Sequence, residues 1–191
     1  MNITNQVRAT ILAIILGTAL ASNVLVLGSL SQGQEAENLM GTDSDDWWIT
    51  YPAQSSAAGS QVDHPQWVLD ALESRPVLVY VHKGCSYCRP QTEAIEQVVA
   101  DCGEKIYYYD IRADGSDSRA EQAVLIYDPT GGVSYVPMRA IVTLAPGPDG
   151  KVHVVWHSAE DVTGKAWIDS YVQDAMAYYS ENSANWKRSE A

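Results

Sequence analysis

The sequence predicts an α/β protein with a mixed central sheet, preceded by one transmembrane helix. Three observations carry this prediction. Residues 9–31 form a predominantly apolar run without a charge. From Asp63 onward, helical and strand patterns alternate, as in a sheet with a parallel half. Two late strands follow one another directly through "PGPDG", whose Gly and Pro suit a hairpin connection.

Composition narrows the function. The 191 residues are 46% apolar, enough to bury a core and to make one ordinary domain with extras. The net charge is −12, from 24 acids against 12 bases, which argues against a nucleic-acid partner because that requires a basic face. Phe is absent, while Tyr occurs 11 times and Trp 6 times. No physical reason for that exchange is evident.

The apolar run reads in two ways. A spanning helix needs ~20 apolar residues, and 9–31 supplies them as an anchor behind a cytoplasmic stretch, 1–8. A cleaved signal peptide is the rival, with Ala19-Leu20-Ala21 as its small-x-small site. Cutting there leaves "SNVLVLGSL" exposed. Arg8 precedes the run, while five acids and no base lie between Ser31 and Ser60. The positive-inside rule then sets the N-terminus in the cytoplasm and the rest outside, in a single-pass membrane protein. Signal cleavage instead gives a secreted protein. Both readings put the domain in an extracytoplasmic compartment, where disulfides persist.

Residues 32–60 read as an acidic polar tether whose outer pieces lack the apolar content to pack. Within it, Trp47 to Tyr51 reads either as a first edge strand, 47–51, or as an aromatic patch at the membrane interface. The folded domain is expected over 61–180. "DHPQWVLDALES" predicts a helix with Asp63 as cap and Pro65 in its first turn. "PVLVYVH" is continuously apolar and predicts a strand buried on both faces. The next helix follows "CSYC", with Pro90 kinking it early and Ile95, Val98, Val99 and Cys102 on one face. Gly103 stops it. "KIYYYDI" is the next strand, and "SRAEQAVLIYDP" a helix with a Ser118–Glu121 capping box. "TGGVSYVP" is a loop, "RAIVTLA" and "KVHVVWH" are the hairpin strands, and a last helix runs from about Gly164 to Tyr179. A polar tail, 181–191, closes the chain.

Cys85 and Cys88, at this strand-to-helix junction, admit three readings. A structural zinc site wants four ligands, and the remaining thiol, Cys102, is about 21 Å from Cys88 along a helix at ~1.5 Å per residue. His153 and His157 fall on a predicted strand, about 13 Å apart at ~3.3 Å per residue. No metal is therefore expected. Two inert core thiols are the second reading, which suits Cys102 better, since it lies on an apolar helix face. The third is a redox pair that forms a Cys85–Cys88 disulfide. A thiolate heading a helix is stabilised by unpaired N–H groups and the helix dipole. Lys83, Arg89 and His82 are the candidates to tune its pKa. Cys85 is then the attacking thiol, and Cys88, one turn in, resolves the mixed disulfide.

"PVLVYVHKGCSYC", a helix, and "YVPMRAIVTL" far downstream resemble the thioredoxin-like superfamily over about 61–180. The resemblance implies a three-layer α/β/α fold. It also implies that Pro137 is a cis proline packed by the cysteines, and that Val136 pairs by its backbone with a substrate chain. Two departures stand out. Val79 occupies the place where thioredoxins proper carry a buried Asp, and Ser86-Tyr87 replaces Gly-Pro between the cysteines. The chain is thus similar to an exported or membrane-tethered relative rather than to a housekeeping thioredoxin.

The expected function is an extracytoplasmic thiol–disulfide oxidoreductase. Its catalytic residues are Cys85 and Cys88, and its substrate-binding residues Val136, Pro137 and Tyr87. It needs no cofactor, because the dithiol itself carries two electrons. Its partners are exported cysteine-containing proteins and a transmembrane electron donor or acceptor. The alternative is a non-catalytic binding module whose Cys85–Cys88 disulfide is structural.

Overall fold

The computed structural model describes residues 38–188. The expected N-terminal stretch 1–8, the apolar span 9–31 and the end of the tail lie outside the described residues. Among those described, no helix is long and apolar enough to cross a membrane.

The elements, in chain order, are α1 (Gln66–Leu72), β1 (Val77–His82), α2 (Arg89–Cys102), β2 (Tyr107–Arg112), α3 (Ser118–Tyr127), β3 (Met138–Pro146), β4 (Val152–Glu160) and α4 (Lys165–Asn182). Together the strands make one sheet in the order β2-β1-β3-β4. β1 and β2 are parallel, while β3 runs antiparallel to β1 and to β4. The predicted parallel half and hairpin half are therefore joined through β1 and β3. This architecture agrees with the thioredoxin-like fold that the resemblance implies.

Every residue of β1 is buried, as its apolar run requires. Val77, Val79 and Val81 point to one face, where α1 and α3 supply Val68, Leu72, Ala120 and Ala123. Leu78 and Tyr80 point to the other, against Ile95 and Val98 of α2 and Ile168, Tyr171 and Val172 of α4. The period of two along the strand thus divides the core into two layers. β2 is an edge strand with mostly accessible side chains.

Several local expectations change. Residues 47–51 form no strand. Trp48 alone bridges the outer edge of β4, exchanging two 2.9 Å backbone bonds with Trp156. Nor is this segment a loose tether or a membrane-facing patch, because Trp47 and Trp48 are 0% and 1% exposed. Each enters a different layer of the core. Asn38 is fixed to α4 by bonds of 2.7 and 2.8 Å to Asp174. Packing therefore extends well before residue 61. At the helix starts, Asp63 caps nothing, and Pro65 holds the N-cap position of α1. Asp117, not Ser118, caps α3, accepting the Arg119 N–H at 2.9 Å. Pro90 falls in the first turn of α2, where a missing N–H costs no bond, and one α-helix runs unbroken to Cys102.

Candidate active site

β1 ends at His82, and the chain then turns sharply. Gly84 takes φ +66°, a left-handed conformation that disfavours a side chain. A Cβ there would also lie 2.9 Å from Nη1 of Arg112. The Gly84 N–H donates to His82 Nδ1 at 2.9 Å. This leaves the imidazole proton on Nε2, which faces the Asp110 carboxylate of β2 at 2.7 Å. The His82 ring stacks on Tyr80 with centroids 4.7 Å apart. His82, Asp110 and Tyr80 thus fix the start of the turn.

The two cysteines differ in exposure. Cys85 is exposed, Cys88 is buried, and both are free thiols, so the expected disulfide is not formed in this structure. Cys88, rather than Cys85, occupies the N-cap of α2. Its N–H donates to Cys85 O at 3.1 Å and approaches Cys85 Sγ at 3.3 Å. The Cys88 carbonyl accepts from Tyr80 Oη at 3.2 Å and Thr92 Oγ1 at 3.1 Å. Cys88 is therefore anchored from below, and the side chain of Cys85 is left exposed above it.

This geometry lowers the pKa of the Cys85 thiol. The largest cause is a hydrogen bond from the Cys88 thiol; desolvation opposes it, and the backbone N–H groups of Cys88 and Tyr87 add to the lowering. The helix-terminus argument thus survives in altered form, because the stabilising groups belong to the turn itself. Arg89, expected to contribute, is exposed and bonds Glu93 at 2.9 Å. Lys83 is exposed as well. His82 accepts the Gly84 N–H and lines an open concavity with Cys85, Ser86 and Thr92.

Val136–Pro137 is a cis peptide. Met138 pairs with Val81, so the next step of the register sets Pro137 across from His82, at the same end of the sheet as the cysteines. Pro137 is buried and Val136 half-buried. Just before them, the Tyr135 N–H donates to Glu160 at 2.7 Å. Tyr87 is exposed, and its hydroxyl donates to the Asp161 carboxylate.

Sequence reasoning missed Tyr80, Thr92, Asp110, Arg139, Glu160 and Asp161. Arg139 carried a visible signal, a charge within the apolar strand "MRAIVTLA". It is 0% exposed and donates from Nη1 to the carbonyls of Asp161 at 2.6 Å and Glu160 at 3.2 Å. Asp110 and Asp161 carried none, since each acquires its role from a partner brought near by the sheet.

No family model and no curated protein matches the sequence. Among solved structures, a thiol:disulfide interchange protein of the thioredoxin family from Chlorobium tepidum TLS matches with a TM-score of 0.37. Its sequence is 15% identical, and the match covers 56% of this chain and 83% of that one.

Proposed function

We propose that this chain is a thiol–disulfide oxidoreductase that acts through Cys85 and Cys88. The observation that carries the reading is the asymmetry of the pair, an exposed Cys85 of lowered pKa and a buried Cys88 on one turn. A thiolate is the nucleophile in exchange, so a lowered pKa raises the reactive fraction at neutral pH. The Cys85 thiolate attacks one sulfur of a partner disulfide. A mixed disulfide forms, and the other partner sulfur leaves as thiolate. Cys88, once deprotonated, attacks Cys85 Sγ and releases the second partner thiolate. The partner gains two electrons and the protein becomes the Cys85–Cys88 disulfide. Run in reverse, the same steps place a disulfide in the partner. Cys88 releases its proton to solvent or to the departing thiolate.

The partner chain lies, in this reading, beside Val136, Pro137 and Tyr87. An extended segment pairs with the Val136 backbone, as in strand addition. The apolar run at 9–31 and the charge asymmetry around it favour an extracytoplasmic domain held at the membrane, acting on exported cysteine-containing proteins. A transmembrane donor or acceptor then resets the dithiol.

Cys88→Ser tests the reading directly. It should accumulate mixed disulfides with partner proteins, because attack survives and resolution does not. Cys85→Ser should accumulate few. Equal trapping by both variants, or by neither, removes the assignment. Alkylation of the reduced protein should give Cys85 an apparent pKa below ~8.5, the value of a free thiol.

A further inference from the structure

We propose that Asp161 is a positioning residue for the turn that carries Cys85, acting through the hydroxyl of Tyr87. The inference gives a role to the β4–α4 corner, and it rests on the proposed exchange activity only for its biological meaning.

Three observations converge on this corner. Asp161 has φ +70°, and among the described residues it is the one non-glycine with positive φ. Such a conformation is uncommon for a residue with a side chain, although Asp tolerates it better than most. Its carbonyl, with that of Glu160, receives the guanidinium of Arg139. That guanidinium is buried beneath the corner and lies 4.6 Å from the centroid of the Trp167 ring. Its Nε and Nη2 have no hydrogen-bond partner among the described residues. A buried cation with incomplete bonding is costly, and this one places Nη1 on the carbonyls at the end of β4 and just past it, which ties the corner to β3. Finally, the Asp161 carboxylate is directed at Tyr87, the residue immediately before Cys88.

The corner also holds the opposite wall of the site. The Glu160 carboxylate takes the N–H of Tyr135, two residues before Pro137. The chain Trp167–Arg139–Asp161–Tyr87 therefore connects β3 and α4 to the cysteine turn, while Glu160 connects the same corner to the loop before β3. Fixing Tyr87 by its hydroxyl restrains the turn between the cysteines, whose Cys88 N–H approaches Cys85 Sγ at 3.3 Å. Releasing the hydroxyl loosens that turn and the N–H it holds near the sulfur.

Positioning and simple charge proximity predict opposite signs. If Asp161 acted by its charge alone, it would disfavour the Cys85 thiolate, and removing the carboxylate would lower the Cys85 pKa. If it positions the turn, removing the contact raises that pKa. The measurement is the rate of Cys85 alkylation against pH in the full chain, with thermal unfolding of each variant alongside. Tyr87→Phe and Asp161→Ala should each raise the apparent pKa by about half a unit, roughly threefold less thiolate at neutral pH. The double variant should match the singles. Asp161→Asn, whose amide oxygen still accepts, should stay near the parent protein. Tyr87 is exposed, so Tyr87→Phe keeps its fold and tests the contact even if Asp161→Ala unfolds. A fall in pKa on losing the carboxylate, or no change in Tyr87→Phe, overturns the proposal. Whether the chain exchanges disulfides at all is decided separately by trapping with Cys88→Ser.

Discussion

His157 should make the fold acid-labile, and its contribution can be worked from its surroundings. The side chain is 2% exposed on β4. Its Nδ1 donates to the Asp46 carbonyl at 2.8 Å, and its ring stacks on Tyr171 at 4.0 Å and lies 4.4 Å from Trp48. Burial lowers its pKa from 6.5 to about 4. The Asp46 carbonyl and the Asp45 and Asp46 carboxylates oppose this shift, and Arg139 reinforces it. The unfolded chain therefore binds a proton below pH 6.5 that the folded chain refuses until about pH 4. Between those values the unfolded state holds more protons, so stability falls as pH falls. The stability is fully present above pH 6.5, and at ~1.4 kcal/mol per pKa unit the full loss is about 3 kcal/mol. Urea unfolding of the parent protein and of His157→Gln, in steps from pH 7 to 4.5, isolates the effect. The parent should lose about 1 kcal/mol more per pH unit near the middle of that range. His64, also pulled to about 4 by burial, is present in both proteins and cancels. Parallel stability curves for the two proteins would refute the argument.

Three further outcomes are expected. Trp48→Ala removes a ring packed 5.0 Å from Trp156 and should cost about 3–5 kcal/mol, read as a lower urea midpoint; a loss under ~1 kcal/mol would mean that the segment before residue 61 is not part of the core. Gly84→Ala meets both a φ of +66° and the Arg112 guanidinium, so it should lose about 1–2 kcal/mol and slow the alkylation of Cys85, whereas an unchanged midpoint would contradict that account. Asp117→Ala should cost about 1 kcal/mol and Ser118→Ala almost nothing, and the reverse order would restore the capping box at Ser118.

Where an element is made by its own residues, the sequence announces it. The unbroken apolar run of β1 reads directly as a strand covered on both faces, and the spacing of Ile95, Val98 and Cys102 reads as the inner face of α2. The cysteine turn was visible because it follows that strand. What escaped depends on contacts distant in sequence. Trp47 and Trp48 look exposed beside Asp43, Asp45 and Asp46, yet their packing partners, Trp156, His157 and Tyr171, lie more than a hundred residues away. The cap of α3 was displaced by one residue because Asp117 and Ser118 are both good acceptors, and only the backbone angles decide between them. The pKa of Cys85 follows a related pattern. Lys83 and Arg89 are near in sequence, but the groups that lower it are aimed by the turn. Asp161 was out of reach of any local pattern, since Tyr87 stands 74 positions earlier.

The junction at Asn38 has a mechanical consequence. Asn38 is bonded to Asp174 and, at 3.0 Å, to Ser170, while its carbonyl receives the Tyr178 hydroxyl at 3.2 Å. The Asp45 carbonyl receives the Tyr171 hydroxyl at 2.7 Å. All four partners belong to α4. A pull on the chain from its N-terminal side is therefore taken up first by that helix and by the indoles of Trp47 and Trp48. None of these hydrogen bonds involves the cysteine turn. Tension or thermal drag on whatever precedes residue 38 would have to shear these side-chain clasps before it could disturb the spacing of Cys85 and Cys88.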